Sequence, residues 1–146
     1  MRVMTRDDIL SLLEQQSAAW AAHDPEAFAK GYAPNAIVSS PTGGVLEGRD
    51  EIEHVARKWF HAFPDIKFGS EEVLIDGDRV VQIARVSGTH GGEFFGVPAT
   101  GRKVDVVFAL VMTVADGHIT HERRILDFTG VLVQVGVLKT KPAGGL

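Results

Sequence analysis

Apolar positions divide the chain into a helical first third and a strand-rich remainder. Ile9, Leu12, Leu13, Ala19 and Trp20 recur at helical spacing, with Gln16 on the same face, which predicts a first helix running to about Ala22. Thr5 ahead of Asp7 and Asp8 supplies an N-cap and acids that complement the helix dipole. His23-Asp24-Pro25 breaks this helix and starts a second short one, with Asp24 as cap and Pro25 at the first helical position, through Phe28 to about Tyr32. Ala33 to Ala36 reads as a turn and Ile37-Val38-Ser39 as a short strand. Pro41 to Gly44 reads as a hairpin-like loop before Val45-Leu46. Ile52, Val55, Ala56, Trp59 and Phe60 share one face of a third helix that ends before Pro64.

From there the period changes to that of strands. Four are predicted: Ile66 to Ile75, Arg79 to Thr89, Lys103 to Val114 and Ile119 to Phe128. Asp76-Gly77-Asp78 and Ala115-Asp116-Gly117 are tight connections, because Gly accepts positive φ without steric cost. Glycines at 88, 91, 92, 96 and 101 predict a long, flexible hairpin end. A short apolar helix over 129–136 closes the chain, and 139–146 reads as a flexible tail of one domain spanning 1–146. Helices first and strands afterwards predict an α+β domain, its helices against one face of a mostly antiparallel sheet.

Both faces of Val104 to Val114 are apolar, whereas an antiparallel sheet usually shows one face to water. Helices can cover one face. A second subunit is the expected cover of the other, giving a homodimer through the sheet face, with a wrapped C-terminal tail as the alternative.

Composition narrows the function. A chain of 146 residues can bury a real core, roughly 70% of its unfolded surface. Its formal charge of -4 leaves no basic excess for nucleic acid or an anionic membrane. No segment approaches the roughly 18 apolar residues of a membrane span, and the N-terminus lacks the pattern of a signal peptide. With no cysteine there is neither a disulfide framework nor a thiolate, which fits a cytoplasmic protein.

Candidate chemistry concentrates in Asp116 to Gly136. Period-two alternation places Ile119, His121, Arg123, Ile125 and Asp127 on one face, and Thr120, Glu122, Arg124, Leu126 and Phe128 on the other. No other strand gathers a His, an Arg and an Asp on one face. His118 and His121 fall on opposite faces and no His-Glu-x-x-His pattern occurs, so no metal site is expected. Gly96 and Gly101 have the spacing of a phosphate loop, but Arg102-Lys103 and a following strand do not complete one. A Gly-x-Ser-x-Gly nucleophile is also lacking.

Several pieces in order resemble the SnoaL-like polyketide cyclases of the nuclear-transport-factor-2-like superfamily. They are Trp20 with His23-Asp24, Gly48-Arg49, Phe63-Pro64-Asp65, Gly88 to Phe94, Gly96 to Gly101, Asp116 to Ile119, and Asp127 to Gly136. The resemblance implies a cone: a curved sheet wrapped around the N-terminal helices, with an apolar pocket between them and usually a homodimer. It also implies cofactor-free chemistry, with Asp127 as general acid/base in aldol-type ring closure on a hydrophobic small molecule. Desolvation beside Ile125 would raise the Asp127 pKa toward a useful range; the same residue also suits an N-cap for the last helix.

Arg123 is the candidate partner, stabilising an enolate or instead pairing with a carboxylate such as Asp105. Trp20, Tyr32, Trp59, Phe63, Ile125, His90 and His121 are the candidate substrate-binding residues. The aromatic ones are equally core by their spacing, and the two histidines are equally readable as exposed. Val104 to Val114 carries no histidine to partner Asp127, and Tyr32 is the only tyrosine. The expectation is therefore proton transfer α to a carbonyl on a polyketide- or steroid-like substrate, or a non-catalytic binding or dimerisation module of the same fold.

Overall fold

Thr5 and Asp8 open the first helix by capping each other. The Asp8 amide donates to Thr5 Oγ1 at 3.1 Å, and the Thr5 amide donates to the Asp8 carboxylate at 2.9 Å. This computed structural model describes residues 2–139; the tail expected at 139–146 lies, from 140 onward, outside the described residues. Helix α1 (Arg6–Ala21) buries Ile9, Leu12, Leu13, Gln16 and Ala19. His23 adopts φ 52° at the reversal, and Asp24 caps α2 (Pro25–Lys30) through the Ala27 amide.

Here the structure departs from the sequence expectation. Helix α2 stops at Lys30, and β1 (Tyr32–Ser40) begins at once, absorbing the Ala33 to Ala36 stretch read as a turn. The Ile119 amide donates to the Gly31 carbonyl, and Arg49 Nε donates to the Tyr32 carbonyl at 2.7 Å. These two long-range bonds hold Tyr32 extended where local sequence would continue a helix.

The remaining elements are β2 (Gly44–Glu47), α3 (Gly48–Ala62), β3 (Lys67–Asp76), β4 (Arg79–Thr89), β5 (Lys103–Ala115), β6 (His118–Leu126) and α4 (Phe128–Gln134). All six strands join one sheet in the order β2-β1-β6-β5-β4-β3, antiparallel except for the parallel β1–β6 pair. Asp116 and Gly117 both have positive φ, the geometry that a two-residue hairpin between right-twisting strands requires. Helices α1 and α3 lie across β3 and β1, and the core between them includes Ile9, Ile52, Trp59, Phe63, Val80 and Met112. The outer face of the sheet leaves Val107 and Ile125 42% and 46% exposed.

A bulge in β6 decides which side chains face the helices. Thr113 pairs with His121 but Val114 pairs with Ile119, so Thr120 is an extra residue without a partner on β5. Alternation therefore slips by one: Ile119 and Glu122, three apart, are both buried, while His121 and Arg123 point outward.

The glycine-rich end between β4 and β5 is tied down rather than loose. His90 exchanges backbone bonds with Arg102 and Gly101, and the amides of Gly91 and Gly92 both donate to the Ala62 carbonyl. A Cβ on Gly92 would stand 2.4 Å from the His61 carbonyl oxygen, so this close approach needs glycine. Among the described residues no helix is long and apolar enough to cross a membrane.

Candidate functional site

Between the helices and the inner face of β4, β5 and β6 lies a cavity with about 60 Å³ open to water-sized spheres. At roughly 10–15 Å³ per water it has room for several. Its walls are mainly apolar and aromatic: Trp20 and Leu13 from α1, Phe28 from α2, Trp59 from α3, Phe68 from β3, and Phe108, Leu110 and Met112 from β5. Into this wall three polar groups converge, Tyr32 from β1 and Glu122 and Arg124 from β6.

These three form a closed ring of hydrogen bonds. Arg124 Nε donates to Glu122 Oε2 at 2.7 Å, and Arg124 Nη2 donates to the Tyr32 hydroxyl at 3.2 Å. The Tyr32 hydroxyl in turn donates to the Glu122 carboxylate, 3.0 Å from each oxygen. The ion-paired side chains of Glu122 and Arg124 are only 2% and 11% exposed. A carboxylate placed in such a wall alone would carry a large desolvation penalty, which the guanidinium and the phenol together offset.

Titration follows from the same surroundings. Burial pushes the Tyr32 phenol well above its ordinary range, and the negative charge of Glu122 pushes it further. Burial opposes the charge on Arg124, but Tyr32 and Glu122 outweigh it and the guanidinium is held more firmly charged than usual.

Three further polar residues line the cavity, Gln16, Ser17 and Gln82. Gln16 donates to the Phe28 carbonyl at 2.9 Å, and Gln82 donates to Ser70 Oγ at 3.0 Å. Trp20 differs: its indole N–H is sealed from solvent and has no hydrogen-bond partner among the described residues.

The residues singled out from sequence divide accordingly. Trp20, Tyr32 and Trp59 line the cavity. Phe63 is core, stacked against Trp59 at 5.8 Å between ring centroids. His90 is fully buried between Phe63 and Phe94, with Nδ1 2.9 Å from Thr100 Oγ1 and no partner for Nε2 among the described residues; it lies outside the cavity lining and away from solvent. His121, Arg123 and Ile125 are exposed on the outer face of β6.

Asp127 is exposed as well. It caps α4 by accepting the Gly130 amide at 2.8 Å, and it stands outside the cavity. Asp105 pairs with Arg85 at 2.9 Å rather than with Arg123.

The bulge at Thr120 fixes where on β6 the face reversal falls, and the polar cluster sits on the face opposite His121, Arg123 and Asp127. One signal in the sequence pointed there. Glu122 and Arg124 share their face with Leu126 and Phe128, both packed on the core, so that face carried the stronger apolar end. Among the described residues no cluster of three His, Asp or Glu side chains has the arrangement of a metal site.

Comparison with known proteins agrees with this architecture. TsrD from Streptomyces laurentii is 24% identical and superposes with a TM-score of 0.84, covering 92% of this chain and 99% of its own. IdmH from Streptomyces antibioticus, a candidate polyketide cyclase, is 27% identical with a TM-score of 0.74 over 86% of this chain and 96% of its own. TerC, crystallised with polyporic acid, is 18% identical with a TM-score of 0.72 over 88% and 98%. No curated protein sequence matches the chain. The sequence model of the SnoaL-like polyketide cyclases matches residues 11–135. The chain belongs to the SnoaL-like polyketide cyclase family.

Proposed function

We propose that the protein is a small-molecule enzyme that needs no cofactor and transfers a proton α to a carbonyl of a hydrophobic, polyketide- or steroid-like substrate. The observation that carries this reading is the Tyr32–Glu122–Arg124 ring set into an apolar, aromatic wall. The Arg124 guanidinium, 2.7 Å from the Glu122 carboxylate, supplies the opposite charge and the hydrogen bond that a buried carboxylate base needs.

In the proposed step Glu122 takes the proton from the α-carbon. The C–H electron pair becomes the enolate double bond, and the carbonyl π pair moves onto oxygen. Negative charge passes from Glu122 to that oxygen, so the charge balance with Arg124 is unchanged. The protonated Glu122 then returns its proton, either to another carbon of the enolate in an isomerisation or to the alkoxide formed when the enolate closes onto a second carbonyl. The polyporic acid bound to TerC supports the reading of this fold as a container for a small ring compound.

The test is solvent-deuterium exchange at the α-carbon of 2-tetralone. Exchange by the wild-type protein and a loss of ~10²–10⁴-fold in Glu122→Gln are expected. Equal exchange by the two proteins, or none by either, favours a binding module without chemistry.

The outer face of the sheet supports a second subunit. Val107 and Ile125, with the half-buried Ala109 and Val111 between them on paired strands, form one apolar patch. A homodimer through this patch predicts that Val107→Glu sediments at half the wild-type mass.

A further inference from the structure

We propose that Trp20 is the residue that selects and positions the ligand, its indole N–H donating to a carbonyl or ester oxygen of an uncharged molecule. The proposal rests on reading the cavity as a small-molecule site, and it adds which ligands that site prefers.

Buried donors almost always have a partner, and an indole nitrogen can only donate. The Trp20 N–H is sealed from solvent and has none among the described residues. Four of the other polar side chains around the cavity are engaged: the Gln16 amide with the Phe28 carbonyl, the Gln82 amide with Ser70, Tyr32 with Glu122, and Arg124 with both. The unmet need is therefore for an acceptor, and it sits on a residue of the cavity wall.

Trp20 does not easily turn away to satisfy it elsewhere. Its ring packs edge-on against Phe28 at 5.3 Å and tilted against Phe60 at 4.6 Å and Phe68 at 6.2 Å, an aromatic frame that fixes the indole plane. The same frame offers flat apolar surface to a ring. Charge sets the second preference. Arg124 is already balanced by Glu122, so a carboxylate ligand would bring a second anion into a low-dielectric space with no cation left to meet it. A neutral oxygen acceptor meets the indole without that penalty.

Three probes of similar shape test this by titration: 2-tetralone, its deoxy analogue tetralin, and the anion 1,2,3,4-tetrahydronaphthalene-2-carboxylate. The wild-type protein should bind 2-tetralone roughly 10-fold more tightly than tetralin, and the anion most weakly. Trp20→Phe should cost 2-tetralone more affinity than it costs tetralin and so close the gap between them, and the tetralin still bound by the variant reports that the cavity is intact. With two tryptophans in the chain, the same variant assigns the Trp20 indole peak in a ¹H–¹⁵N spectrum. That peak should move downfield with 2-tetralone and not with tetralin.

Equal wild-type affinity for ketone and hydrocarbon, preference for the anion, an unmoved Trp20 peak on 2-tetralone binding, or no binding of any probe overturns the proposal. The acid/base reading fails separately. If the Trp20 peak moves as expected but Glu122→Gln exchanges like wild type, the donor role stands and the proton-transfer role of Glu122 falls. Normal 2-tetralone binding by Trp20→Phe alongside lost exchange in Glu122→Gln gives the reverse.

Discussion

Glu122 and Arg124 stand two residues apart on β6 and close an ion pair of 2.7 Å on the inner face, while Arg123 between them faces out. Because the pair is buried, removing one partner strands the other. Arg124→Met should destabilise the protein by about 3–5 kcal/mol, measured by denaturant unfolding. Adding Glu122→Leu to Arg124→Met should restore much of that loss. A double variant no more stable than the single one contradicts the account of the pair.

Tyr32 is the only tyrosine, so the ultraviolet absorbance of phenolate reads it alone. Its folded pKa is raised by burial and by Glu122. The unfolded chain releases this proton near pH 10, whereas the folded protein retains it, so stability falls as pH rises above about 10. Phenolate absorbance should therefore appear together with loss of circular dichroism. A phenolate signal near pH 10 in a protein that is still folded places the hydroxyl in solvent.

Asp65 carries the opposite sign. The Thr89 amide donates to its carboxylate and holds its pKa below the usual carboxylate range. This contribution is present above the unfolded value near 3.9 and is lost as pH falls through the lower folded value. Asp65→Asn should unfold with a shallower dependence on pH below about 4, read from thermal midpoints across an acid series.

Gly31 adopts φ -70°, which any residue tolerates, so its importance is steric. A Cβ there would come within 2.1 Å of Gln16 Oε1 and 2.6 Å of Nε2. Gly31→Ala should push the amide off the Phe28 carbonyl, at about 1–3 kcal/mol of stability. Combining it with Gln16→Ala should cost less than the sum of the two single changes.

Local chemistry made much of the fold readable. Thr5, Asp24 and Pro25 announce helix starts, the Asp-Gly pairs announce the hairpins, and the β4 boundaries follow from alternation alone. Two long-range features were not readable. Tyr32 is held extended by bonds from Arg49 and Ile119, residues far along the chain.

The other is the bulge at Thr120, which depends on how β6 registers against β5, and no periodicity within β6 reveals it. The candidate site inherits that uncertainty of register. Bulk and spacing point to Tyr32, Trp20 and Trp59 one by one, whereas alternation in β6 does not tell that Glu122 and Arg124 face the cavity while His121 and Arg123 face out.

In the proposed reaction Glu122, and not Asp127, is the carboxylate that moves protons. Asp127 is exposed and engaged in capping α4 through the Gly130 amide. The most direct measurement compares α-hydrogen exchange in 2-tetralone by Glu122→Gln and by Asp127→Asn, each verified as folded. Exchange should fall ~10²–10⁴-fold in Glu122→Gln and stay close to wild type in Asp127→Asn. Lost exchange in Asp127→Asn with wild-type exchange in Glu122→Gln would contradict this role of Glu122.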